Sequence, residues 1–220
     1  FDIYVAALFV EERFGRNAYL EKINNYSRME WVKDRRTASE KPISSAQYTA
    51  SDTLYMYHKG ILLLHSLRYL IGDEHFLELI RRQAYPDPNI TLQSVERCSQ
   101  CRVTNSREFI GLAEKISGQK LNWFFDLYLY RPELPKLITR DKGKYLHVEW
   151  QVPEGMTFPM PVDIVQNGLR RRVEVPVGGV KIRKRRGEGI QVDPDYWVIR
   201  QAKPSADHFG TLLTMNKEKR

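Results

Sequence analysis

Cysteine is nearly absent from this sequence: two in 220 residues, Cys98 and Cys101, in a single Cys-x-x-Cys. A structural zinc site needs four ligands, and no second pair is present to supply them. A redox pair would follow a strand and open a helix in a βαβ setting, which the flanking residues do not offer. The two are read as ordinary loop thiols, and they assign no compartment. Long apolar runs are missing too. No stretch approaches the about 18 residues that a membrane helix needs, so no membrane span is expected. The first residues, FDIYVAALFVEERF, have neither a basic n-region nor a small-residue cleavage site, and do not read as a signal peptide. The chain opens on Phe1 rather than on methionine, and is read as a piece of a longer protein. Internal repeats and low-complexity segments are absent as well.

What is present is 42% hydrophobic residues and a formal net charge of +8. That length and apolar content suffice for one good core, or for one core plus a small second one. The positive charge permits anionic partners without requiring them.

The first part of the chain has helical periodicity. Ile3, Ala6, Ala7, Val10 and Phe14 recur at helical spacing, and Gly15 can end that helix. A second helical pattern carries Tyr19, Ile23, Tyr26 and Met29. Polar residues around Pro42 read as a loop. The segment YMYHKGILLLHSLRYL, residues 55–70, is a long helix ending near Gly72, and Asp73 is the expected N-cap of the next. Asn105 with Glu108 reads as a capping box, and Gly118 as the left-handed residue that closes that helix. LNWFFDLYLY is a last aromatic helix, stopped by Pro132.

After about residue 138 the texture changes. KYLHVEWQV, MPVDIVQ, LRRRVEVPV, VKIRKRR, GIQV and YWVIR are short, β-branched or aromatic segments, separated by turn signals such as Asn-Gly and Gly-Gly. The expected fold class is α+β, an all-helical bundle followed by a small antiparallel β-sandwich. The helical subdomain spans residues 1–138, the β-sandwich domain 139–200 and a C-terminal tail 201–220.

Three features are candidates for chemistry. His58 and His65 share a helix face but are seven apart, whereas a helical metal pair sits at i and i+4, as in HExxH. They are read as hydrogen-bonded or solvent-facing. The run Lys181, Arg183, Lys184, Arg185, Arg186 is read as a solvated hairpin tip guarding an edge strand, not as a nucleic-acid site. The spacing of WFFDLYLY fits a packed core or domain interface better than a ligand-stacking box. The long helix is more informative. Met56, Gly60, Leu63, Leu67 and Leu70 form one apolar stripe, and Tyr57, Ile61 and Leu64 a second beside it. A helix apolar on more than one side belongs inside a domain, where the Tyr57 hydroxyl needs a partner: a core carbonyl or a substrate oxygen. Gly60, about 1 kcal/mol worse than alanine in a helix, suggests close approach by another backbone or a ligand.

Tyr57-His58-Lys59-Gly60, followed by ILLLHSLRYLIGDEHF, resembles the Tyr-x-Lys-Gly segment of the aminopeptidase N and leukotriene hydrolase type of zinc metallopeptidases, the gluzincins. The likeness continues through TNSREFIGLAEKISGQKLNWFFDLYLYRPELPKL and closes on VDPDYWVIR, which is similar to the end of that family's β-sandwich domain. FDIYVAALFVEERFG resembles the family's helix after its Glu-Gly-Phe-Ala segment, although Asp2 stands where a small residue is usual.

The resemblance implies that the helices are the C-terminal half of a thermolysin-like catalytic domain. Its HExxH, the glutamate that completes the zinc site and its Gly-x-Met-x-Asn motif are not in this sequence. The catalytic residue that it carries onto this chain is Tyr57, as hydrogen-bond donor to the oxyanion. A free phenol, with a pKa of about 10, keeps its proton at neutral pH. A fixed donor where charge develops is worth about a hundredfold in rate. Lys59 is given a structural or electrostatic role only.

The expected function is thus a fragment of a zinc aminopeptidase that hydrolyses amino-terminal peptide bonds. Zinc and peptide substrate belong to the intact parent, and the isolated chain is expected to bind no catalytic zinc and to be inactive. Its partner would be the N-terminal catalytic lobe of the same protein. That lobe's absence should leave the faces near Tyr57 and the first helix apolar and open. The alternative is a non-catalytic peptide-binding or scaffold relative of the same fold.

Overall fold

The computed structural model describes residues 1–24, 41–45, 50–87, 103–184 and 189–201, the side chains of residues 45 and 50–55 excepted. Tyr26, Met29, Cys98, Cys101, Arg185, Arg186 and the tail from residue 202 lie outside them. Among the described residues there are six α-helices and then six strands. The helices are α1 (Asp2–Phe14), α2 (Arg16–Glu21), α3 (Ala50–Ile71), α4 (Asp73–Ala84), α5 (Ser106–Ser117) and α6 (Asn122–Tyr128). The class is α+β, with helices first and two small antiparallel sheets after them. No described helix is long and apolar enough to cross a membrane.

Local chemistry explains several helix ends. Gly15 closes α1 with φ 86° and Gly118 closes α5 in the left-handed region at φ 67°, a conformation that costs a glycine little. Asn105 Oδ1 accepts from the Glu108 backbone N–H at 3.1 Å, while the Asn105 amide donates to the Glu108 carboxylate at 3.0 Å. The expected cap at Asp73 is not formed. Gly72 precedes α4, and the Asp73 carboxylate turns to Arg68, at 2.8 and 3.0 Å. A buried guanidinium outcompetes a backbone N–H, because a charge without a partner is the costlier group to leave. In α1 the buried residues are Tyr4 and Ala7, whereas Ala6 and Phe14, assigned inward on periodicity, are exposed. The helix is apolar on several sides, and the hydroxyl of Tyr4, 2.6 Å from that of Tyr19, decides which side turns in.

Strands β1 (Lys136–Lys142), β2 (Tyr145–Gln151) and β5 (Val180–Arg183) form one antiparallel sheet in the order β1-β2-β5. Strands β3 (Val162–Gln166), β4 (Leu169–Val173) and β6 (Ile190–Val192) form the second, in the order β4-β3-β6. Asn167 and Gly168, both at positive φ, make the two-residue β3–β4 turn that Asn-Gly signals. Gly179, at φ 81°, is required: a Cβ there would lie 2.5 Å from the Val148 carbonyl oxygen. Val148, Trp150 and Ile182 of the first sheet and Val162 and Ile164 of the second enter the same core as the helices.

The sequence pattern misses β1 and misassigns YWVIR, which is not a strand. Residues 193–199 are instead held by side chains. Asp193 accepts from the Trp197 backbone N–H at 2.7 Å. Ser66 Oγ donates to the Trp197 carbonyl at 2.8 Å and accepts from the Ile199 N–H at 3.1 Å. The Tyr128 hydroxyl donates to the Ile199 carbonyl at 2.6 Å. A backbone satisfied in this way needs no neighbouring strand.

Candidate functional site

Helix α3 is buried on nearly every side from His58 to Ile71. Leucines and isoleucine at positions 61–64 and 67 fill the core, and the polar residues among them find partners inside the chain. His65, fully buried, meets the Tyr19 hydroxyl through Nδ1 at 2.7 Å. Its ring stacks on Trp197 with centroids 4.2 Å apart, and Tyr69 stacks on the same indole. The Tyr69 hydroxyl donates to Asp163 on β3 at 2.8 Å. Arg68 binds Glu11 at 2.5 Å and Asp73, tying α1 to the start of α4.

These environments shift the titrating groups. Burial, with the Tyr19 hydroxyl beside it, pushes the Tyr4 hydroxyl well above its ordinary value. Burial pushes Tyr19 up to about 12, against the lowering pull of its Tyr4 bond and of Arg68. The Tyr69 hydroxyl is raised by burial and by its bond to the Asp163 carboxylate. Burial would raise the Asp73 carboxyl, but the hydrogen bonds and charge of Arg68 outweigh it and hold the group below the usual range.

The other end of α3 differs. Helical spacing places Tyr57, Ile61, Leu64 and Arg68 on one face. The last three are buried, whereas Tyr57 is 43% exposed, and its hydroxyl makes no hydrogen bond among the described residues. The buried phenol that the apolar pattern suggests is therefore not what the fold builds. The face ends in solvent at Tyr57. At Gly60, one turn on, an added Cβ would meet nothing within 4 Å, so no described backbone approaches it. Between them Lys59 is fully buried, and its ammonium donates to the Arg131 carbonyl at 3.2 Å in the loop leaving α6. Ser44 N–H donates to the Leu129 carbonyl at 3.0 Å, so the exit of α6 also holds the short turn at residues 43–45. Lys59 thus anchors the turn that carries Tyr57, a contact that nothing in the sequence signals. Val5 and Phe9 on α1 and Phe1 just before it recur at intervals of four and are all exposed, forming an open apolar stripe on which Phe1 also meets the Phe109 ring edge to face.

Among the described residues the histidines gather no metal site. His58 is buried on α3, His65 is committed to Tyr19, His75 Nδ1 lies 3.0 Å from the Ile71 carbonyl, and His147 Nε2 lies 3.2 Å from that of Gly178. His208 lies outside the described residues. Among the described residues, no group of three or more His, Cys, Asp or Glu is placed to hold a metal ion. These residues therefore do not fit a zinc centre. A cleft of about 530 Å³ opens elsewhere, between α2, α3 and the β3–β4 sheet. Its arginines are matched by Asp73, Asp163 and Asp195. It reads as an ion-paired seam, and Tyr57 does not line it. The aromatic cluster of α6 is core: Phe124, Phe125 and Tyr128 are buried, and Phe158 joins Tyr128 and Trp123 edge to face.

No family model matches the chain, and no curated protein matches it in sequence. Among the solved structures that match its fold is aminopeptidase A of Legionella pneumophila, determined in complex with aspartic acid. That likeness has a TM-score of 0.55 at 17% identity, and covers 92% of this chain. The chain spans 23% of the length of that structure, and what the two share is the fold.

Proposed function

We propose that the chain is one part of a zinc aminopeptidase and that Tyr57 is the catalytic side chain it contributes. The observation that carries this reading is the exposed Tyr57 hydroxyl, without a partner among the described residues, at the open end of a helix otherwise buried. A tyrosine serving its own core would be buried and bonded, as Tyr4, Tyr19 and Tyr69 are. The aminopeptidase-like fold and the open stripe on α1 support the same reading.

In it, the peptide lies against the open face at Tyr57 and Gly60. The Tyr57 hydroxyl donates to the carbonyl oxygen of the scissile bond as negative charge gathers there. A neutral donor fixed in place by α3 stabilises that charge without reorganising. Lys59 is a positioning residue, holding the first turn of the site to the loop after α6. Zinc, its ligands and the general base lie in the parent protein outside this chain, so the chain alone is inactive.

The test is Tyr57→Phe in the intact parent. The expected result is a fall in kcat of about a hundredfold, with unchanged metal content and thermal stability. Undiminished hydrolysis would sink the reading. A parent without HExxH and its downstream glutamate would favour the non-catalytic peptide-binding or scaffold relative instead.

A further inference from the structure

The outer face of the β1-β2-β5 sheet combines charge and geometry in a way the linear sequence hides. Pairing brings Lys142, Tyr145 and Arg183 into one row and Arg140, His147 and Lys181 into the next. Lys136 lies further along β1 on the same face. All five cations are exposed, and the alternate residues Val148, Trp150 and Ile182 are buried beneath them. Among the described strand residues of this face the five cations meet one carboxylate, Glu149, which Arg140 binds at 2.7 Å. Lys136, Lys142, Lys181 and Arg183 have no ion-pair partner among the described residues. Lys184, by contrast, is satisfied by Asp141.

We infer that this face docks an extended acidic polypeptide segment. Arg140 and Lys142 form one cationic rail and Lys181 and Arg183 the other, with β2 between them. Residues two apart on a strand are about 6.8 Å apart, and rails two strands apart are about 10 Å apart. An extended segment lying along β2 has the same repeat, so successive carboxylates reach alternate rails. The exposed Tyr145 ring offers the backbone an apolar contact. A nucleic-acid strand fits less well, because successive bases need successive open rings. Tyr145 is one such ring, but His147 is bonded to the Gly178 carbonyl and its Nδ1 is covered. A bilayer fits less well too, because Tyr145 is the only exposed large apolar side chain on the face among the described residues. The inference is independent of the role of Tyr57.

The test is fluorescence anisotropy of the full chain with a labelled twelve-residue peptide of alternating Asp and Glu. Binding should weaken as salt rises. K181E/R183E should lower affinity about tenfold, whereas K115E/R171E, an equal charge change at exposed positions elsewhere, should change it less than about twofold. If the reversal disturbs thermal melting, K181Q/R183Q replaces it, with an expected loss of about threefold. The inference is overturned by absence of peptide binding or by equal loss in both double variants. It is equally overturned if a thymidine oligonucleotide or vesicles of anionic phospholipid bind in a rail-dependent manner more tightly than the peptide.

Discussion

The two ends of helix α3 carry similar residues and treat them in opposite ways. At its C-terminal half His65, Ser66, Arg68 and Tyr69 are all buried, and each is bonded to another part of the chain. They join α1, α2, β3 and the 193–199 segment to a single helix. At the N-terminal half Tyr57 has the same phenol and no partner among the described residues. Buried polar groups are costly unless paired, so the first end is a structural lock. An exposed phenol costs the fold nothing, and its hydroxyl is available to a molecule from outside. The difference teaches that titratable residues on one buried helix need not share a purpose, and that partner geometry separates them.

The strongest way to break the lock end is Trp197→Ala. The indole is buried against His65 and Tyr69 and carries the Arg16 guanidinium 4.5 Å from its ring. The expected loss is about 3–5 kcal/mol in chemical denaturation. Arg68→Met comes next, because it strands Glu11 and Asp73. With Asp73 half exposed, the expected cost is about 2–3 kcal/mol, read from the same curves.

Tyr19→Phe should cost about 1–3 kcal/mol, since Tyr4 and His65 each lose a partner. It also has a pH signature. In the fold Tyr19 holds its proton up to about 12, whereas an unfolded phenol releases it near 10. Its contribution is therefore complete below pH 10 and is lost as pH rises from 10 towards 12. Melting temperatures across that window should fall less steeply in the phenylalanine variant. An equal slope in both proteins would remove Tyr19 from the account. The smallest effect is expected at the open end. Tyr57→Phe should change stability by less than about 0.5 kcal/mol, and a loss as large as that of Tyr19→Phe would mean that the two ends of α3 do not differ.

Much of this was legible in the order of residues. The helices-then-strands architecture, the Asn105–Glu108 box, the Asn-Gly turn and the core role of the α6 aromatics follow from local periodicity and turn chemistry, which act over a few residues. Asp73 and the YWVIR segment were not legible. Asp73 turns to Arg68, five residues back on the preceding helix, because that guanidinium is buried by the fold, and the YWVIR backbone meets Ser66 and Tyr128, far away in sequence. The Tyr57 motif was legible as a likeness, but its exposure was not, because an apolar stripe does not state where its cover ends.

The sequence by itself determined the class of fold, which rests on spacing along the chain, and marked the Tyr57–Gly60 turn through its resemblance to a family motif. Tertiary structure decided which tyrosines are spent inside the fold and that Tyr57 is among those left facing out. It also decided that cations from β1 and β5 flank Tyr145, since strand pairing joins residues about forty positions apart. Partners in space depend on how elements pack, and no local pattern encodes that.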